Sequence, residues 1–155
     1  MRLRDAEALA TKVIAVIGPY CERVQVAGSV RRKRPEVHDI DIVLIPKPLH
    51  LASIIKALEP EKVLLQGPKL TRLLVEGAQV DLYVATPETW GTILLIRTGS
   101  PEHNIRLCSI ARKIGVKLSA AQGVIKKGRV VASRTEEDIF QALGLDYVPP
   151  ESREV

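Results

Sequence analysis

Residues 39–45, DIDIVLI, constrain this chain more than any other stretch. The apolar run from Ile40 to Ile45 is broken only by Asp41, which suits a strand buried on both faces. Yet Asp39 and Asp41 lie two residues apart, so on a strand they point to one face with Cα atoms ~6.5–7 Å apart. Unpaired, two such charges repel by up to ~4 kcal/mol at about 4 Å and a protein-like effective dielectric. A divalent cation turns that penalty into a binding site, and Mg²⁺ favours carboxylate oxygens together with substrate phosphates. A third carboxylate stands in Val80-Asp81-Leu82-Tyr83-Val84, where the three apolar residues face one way and Asp81 the other. If that strand lies beside 40–45, Asp81 joins the same face, and three acids can hold two ions for in-line phosphoryl transfer.

The segment before the aspartates carries the opposite charge. Gly28-Ser29 follows a short alternating strand, 23–27, and precedes Val30-Arg31-Arg32, which can form one helical turn before Pro35. Free N–H groups at such a turn suit an anion, and glycine lets a phosphate approach the backbone. Ser29 adds a hydroxyl and Arg32 a charged fork. The chain contains no Walker-type loop, so a triphosphate would be held by this turn and the metals.

The rest of the chain supplies a frame. At 155 residues, with 46% hydrophobic residues, it can build a core without disulfide staples. Its two cysteines have no metal-type spacing and read as buried thiols. Its net charge of +5 suits a polyanionic partner. No stretch is long and apolar enough for a membrane span and no signal peptide is evident, so a soluble, cytoplasmic protein with no membrane partner is expected.

Apolar spacing predicts a helix over 4–17 and another over 49–58. Strands are predicted at 62–66, 69–76 and 79–84. Thr86 and Pro87 are expected to open a helix reaching Arg97, and Ser100-Pro101 another reaching Ile114. Short strands near 116–118, 123–126 and 129–132 precede a helix capped by Thr135, and the Pro-rich polar tail from Tyr147 is expected to be loosely held. The fold class is therefore α/β (α+β): a mixed sheet with helices over 1–85, then a small helical and antiparallel lobe over 86–155.

Gly28-Ser29, then Asp39-Ile40-Asp41, with Asp81 on a later strand, resembles the polymerase-beta-type nucleotidyltransferase signature. "VDLYVATPETWGTILLIRTGSPEHNIRLCSIARKIGVKLS" followed by "TEEDIFQALGLDYVPPESRE" is similar to the palm and C-terminal nucleotide-binding lobes of bacterial and archaeal family X DNA polymerases. The resemblance runs from about residue 20 to the end. It implies that Asp39, Asp41 and Asp81 bind two Mg²⁺ ions (with Mn²⁺ as a substitute), Asp81 lying nearest the primer 3′-hydroxyl. It implies that Gly28, Ser29 and Arg32 hold the β- and γ-phosphates of a nucleoside triphosphate. Thr98, Gly99 and Ser100 would form a turn beside the nucleotide sugar, where the family often has a cis Gly–Ser peptide. Asn104 would touch the incoming base; His103, in the same helical turn, is either a nucleotide contact or a surface residue. The implied partner is primer-template or gapped DNA, and no protein partner is implied.

The departures carry expectations too. Ile96 and Arg97 stand where aromatic residues commonly check the sugar, so weak exclusion of ribonucleotides is expected. Tyr83 stands where a basic residue is common, and Arg106 is no sure counterpart of the arginine that contacts the template side in animal relatives. The family's lyase and helix-hairpin-helix modules have no counterpart before residue 20, which suggests a minimal polymerase or an excised core. Two other readings stay open: a template-independent transferase acting on RNA or another hydroxyl, and a binding module without catalysis. An HD-type phosphohydrolase built on His38-Asp39 is disfavoured, because His50 and His103 are unsuitably placed as further ligands.

Overall fold

The computed structural model describes residues 1–155, which separate into two compact units, Met1–Ala85 and Thr86–Val155. In the first unit, α1 (Leu3–Ile17) leads through a 3₁₀ turn (Gly18–Tyr20) into β1 (Cys21–Val26), α2 (Gly28–Arg31) and β2 (Asp39–Pro46). Next come α3 (Leu51–Leu58), β3 (Lys62–Gln66), β4 (Leu70–Val75) and β5 (Ala78–Val84). The sheet order is β1-β2-β5-β4-β3. Only the central β2–β5 pair is parallel; its neighbours are antiparallel.

One face of this sheet is oily because strand residues alternate. Ile40, Ile42 and Leu44 of β2 and Val80 and Leu82 of β5 pack against Val13 and Ile17 of α1 and Ile54 of α3. The acids take the other parity and so are barred from that core. The turn after β1 is anchored separately: Val30 packs with Ala6 and Val37. The N-terminal residues brace the loop before β2, since the Leu3 N–H donates to Pro35 O at 3.1 Å and the Val37 N–H to Met1 O at 2.8 Å.

The second unit contains α4 (Trp90–Thr98), α5 (Pro101–Lys113), the antiparallel sheet β6 (Lys117–Ser119), β7 (Gly123–Lys126) and β8 (Arg129–Ala132), and α6 (Glu136–Ala142). Leu95, Leu107, Ala111, Val124, Ile139 and Phe140 form its core. Helix α4 starts later than Thr86-Pro87 suggests. Thr86 and Thr89 bond each other through backbone and hydroxyls, closing a local turn. The first helical N–H groups then find outside acceptors, Gly91 N donating to Arg134 O and Thr92 N to Ser133 O, both at 3.1 Å. Gly91 is required there, because a methyl group would overlap the Thr135 backbone.

A second correction concerns the chain end. Instead of a loose tail, residues Pro150–Ser152 form a 3₁₀ turn, and Arg153 is 0% exposed. No helix is long and apolar enough to cross a membrane.

Candidate functional site

Register brings the three aspartates together along the chain's most buried strand pair. Asp41 is the direct β2–β5 partner of Asp81, and Asp39 pairs with Gln79 in the adjacent row. In a parallel pair such partners share a face, so Asp39, Asp41 and Asp81 lie on the side opposite the oily core. The turn named from the sequence sits directly above. The Ala27 N–H donates to Asp41 O at 2.8 Å, and Gly28, at φ +59°, lies so close that a methyl group there would overlap the Asp41 carboxylate. Only glycine satisfies both the positive φ and that approach. Ser29 and Arg32 flank it, half-buried, Arg32 as the C-cap of α2.

The carboxylates are held differently. Asp81 is 3% exposed and accepts a fork from Arg72, Nε to Oδ1 at 2.9 Å and Nη2 to Oδ2 at 3.3 Å. Gln79 Nε2 also donates to it, at 3.3 Å, and the Tyr83 hydroxyl at 3.5 Å. Arg72 is the cross-strand partner of Asp81 on β4. Sequence reasoning missed this arginine, since only the β4–β5 register aims it at the acid. Its one local signal was a charge on an otherwise apolar strand. For Asp39, burial first and the Asp81 charge second push the carboxyl above the usual carboxylate range, with Arg72 and His38 partly offsetting this.

The donor chemistry therefore fits hard divalent cations, but the oxygens are not gathered. No group of three His, Cys, Asp or Glu side chains is close enough to hold a metal ion. Asp39, Asp41 and Asp81 share a face by backbone register, and Arg72 holds the Asp81 carboxylate.

In the second unit, the predicted turn residues are buried together. Thr98 and Ser100 are 0% and 2% exposed, and the Gly99–Ser100 peptide is cis. Ser100 caps α5, its Oγ accepting the His103 N–H at 3.2 Å. Asn104 donates through Nδ2 to Ile96 O at 2.9 Å, while its buried Oδ1 has no partner. His103 is not a surface residue. It is 3% exposed, its ring centroid lies 6.1 Å from that of Phe140, and Nδ1 has no partner. Desolvation, then the Arg153 and Arg106 charges, lower its pKa to about 4, so it is neutral at physiological pH.

Comparisons with known proteins bear on the fold. Residues 93–154 match the DNA polymerase beta thumb. The chain is 29% identical over 143 residues to the DNA polymerase/3′-5′ exonuclease PolX of Bacillus subtilis (strain 168), covering 83% of this chain and 24% of that protein. It thus spans about a quarter of that relative's length. The crystal structure of Leishmania infantum polymerase beta, a ternary P/T complex, superposes with a TM-score of 0.83 at 20% identity, covering 100% of this chain and 77% of that one. The class is thereby set: a mixed α/β protein with the polymerase beta fold. Within that class, the chain is similar to family X DNA polymerases, through the thumb match over residues 93–154 and the likeness to PolX.

Proposed function

We propose that this chain catalyses templated nucleotidyl transfer, joining a nucleoside monophosphate from a triphosphate to the 3′-hydroxyl of primed or gapped DNA. The observation that carries the reading is the pairing of Asp41 with Asp81 on adjacent parallel strands, with Asp39 on the same face and the Gly28 turn directly above. Asp39, Asp41 and Asp81 would hold two divalent ions. Such ions, when bound, lower the proton affinity of the attacking hydroxyl and neutralise charge on the leaving pyrophosphate. Gly28, Ser29 and Arg32 would bind the β- and γ-phosphates, and Arg72 must release Asp81 for that carboxylate to take a cation.

The turn Thr98-Gly99-Ser100 would sit beside the sugar, and Asn104 would lie beside the incoming base. Because Ile96 and Arg97 offer no ring at the sugar, ribonucleotides should be excluded weakly. A net charge of +5 makes primer binding salt-sensitive. That same missing ring keeps one other reading in play, a transferase that ignores the template and accepts RNA ends. Primer extension decides between them, run with templated and untemplated ends, with deoxy- and ribonucleoside triphosphates, in Mg²⁺ and in Mn²⁺. Extension on templated ends supports the polymerase reading. Equal extension on untemplated ends supports the alternative, and none in either metal leaves a module that binds without chemistry.

A further inference from the structure

The most elaborate polar construction in residues 86–155 is at the chain end that looked loose from sequence. Arg153 is fully buried, with its guanidinium carbon 5.3 Å from the ring centroids of both Phe140 and Tyr147. Its edge makes two bonds, Nη1 to Glu136 Oε2 at 2.6 Å and Nε to Val148 O at 2.8 Å, and Nη2 has no partner. A buried ion pair of this kind is weak support for stability, because desolvating both charges offsets most of their attraction. What it supplies is a fixed place for the main chain that carries it.

That main chain meets the candidate sugar-side turn. The Ser100 N–H donates to Arg153 O at 2.9 Å, and the Ser100 hydroxyl donates to Glu154 O at 2.7 Å. Ser100 in turn accepts the His103 N–H through Oγ and the Asn104 N–H through its carbonyl, the latter at 2.9 Å. The path from the ion pair to Ser100 and Asn104 thus runs through the main chain of Arg153 and Glu154 and these hydrogen bonds.

We propose that Arg153 and Glu136 are positioning residues, whose pair locks the last residues so that their carbonyls hold Ser100, and with it Asn104, in place for the incoming nucleotide. The inference rests on the reading that this turn and Asn104 meet the nucleotide. Arginine is required because a planar fork lies within cation–π reach of two rings while bonding two acceptors, which a lysine ammonium cannot do.

The test uses the full chain with a primed DNA template, Mg²⁺ and a deoxynucleoside triphosphate. The variants are Arg153→Lys, Glu136→Gln and the milder Tyr147→Leu, which removes one ring beside the guanidinium and leaves the ion pair. Leu143→Ala serves as a core-destabilised control. Amide hydrogen exchange follows Ser100 and His103 relative to the rest of α5, and steady-state kinetics follow the nucleotide. Faster exchange at Ser100, with KM raised about tenfold and kcat changed little, is expected for the three variants and not for the control. Unchanged Ser100 exchange, or a KM shift as large in the control, overturns the positioning role. Looser Ser100 with unchanged KM instead overturns the nucleotide reading of the turn.

Discussion

Each unit contains one arginine–carboxylate pair beside the candidate chemistry, and the two are built to opposite ends. Arg72 and Asp81 meet at the surface of a sheet, the arginine side chain 37% exposed and the aspartate 4%. Arg153 and Glu136 meet in a core, at 0% and 4% exposure. In the first pair the guanidinium has water to return to, so a competing cation can displace it at modest cost. In the second it has nowhere to go, and separation would strand two charges in a low-dielectric interior. The same chemical contact is a replaceable partner in one place and a permanent brace in the other. Burial of the arginine makes the difference.

The largest expected effect breaks the first site outright. Asp81→Asn should lower nucleotide transfer at least about 10³-fold while leaving circular dichroism and triphosphate binding largely unchanged. Near-normal turnover in that variant would remove the catalytic reading of the β2–β5 face.

Next in size is the stability contrast between the pairs. Arg153→Met leaves Glu136 buried without its fork and should cost about 3–5 kcal/mol in denaturant unfolding. Arg72→Met should cost far less. Equal losses would mean that Arg72 is as permanently placed as Arg153.

Arg72→Met also sharpens the comparison through the cation. With its competitor gone, the Asp39, Asp41 and Asp81 face should bind Mn²⁺ about tenfold more tightly, as read by paramagnetic titration of the DNA-free protein. Weaker or unchanged binding would show that Arg72 does not compete for Asp81.

The smallest effect is a pH slope in the second unit. His103 has a folded pKa depressed from 6.5 to about 4, so the unfolded chain binds its proton first as pH falls. Its contribution is complete above the unfolded value, and stability should fall as pH drops from 6.5 toward about 4. His103→Phe, which keeps an aromatic ring against Phe140, should flatten that part of the profile. An unaltered slope would assign it to other groups.

Much of the first site was legible because its signals are local. A period of two residues forces Asp39 and Asp41 onto one face and Ile40 and Ile42 onto the other, whatever the neighbours do. Asp81 could be read the same way, as the one acid in an apolar strand. Helix ends were legible where the cap served its own turn, as at Ser100 and Thr135, whose side chains accept the N–H of His103 and Asp138. Thr86-Pro87 carried an equally good start signal and lost, since the carbonyls of Ser133 and Arg134 satisfy a later first turn. Those acceptors come from more than forty residues downstream, beyond any local pattern.

The sequence by itself determined which residues could share a face, which turn needed glycine, and how charge and oil alternate along each strand. Those are consequences of backbone period and of φ, both set within a few residues. Only the tertiary structure decided that Arg72 faces Asp81, that His103 is a neutral core residue, and that a Pro-rich polar tail ends in a buried arginine. Each of these depends on which distant segment supplies the partner. Partner choice follows from register and packing summed over a whole unit, which no short window of residues contains.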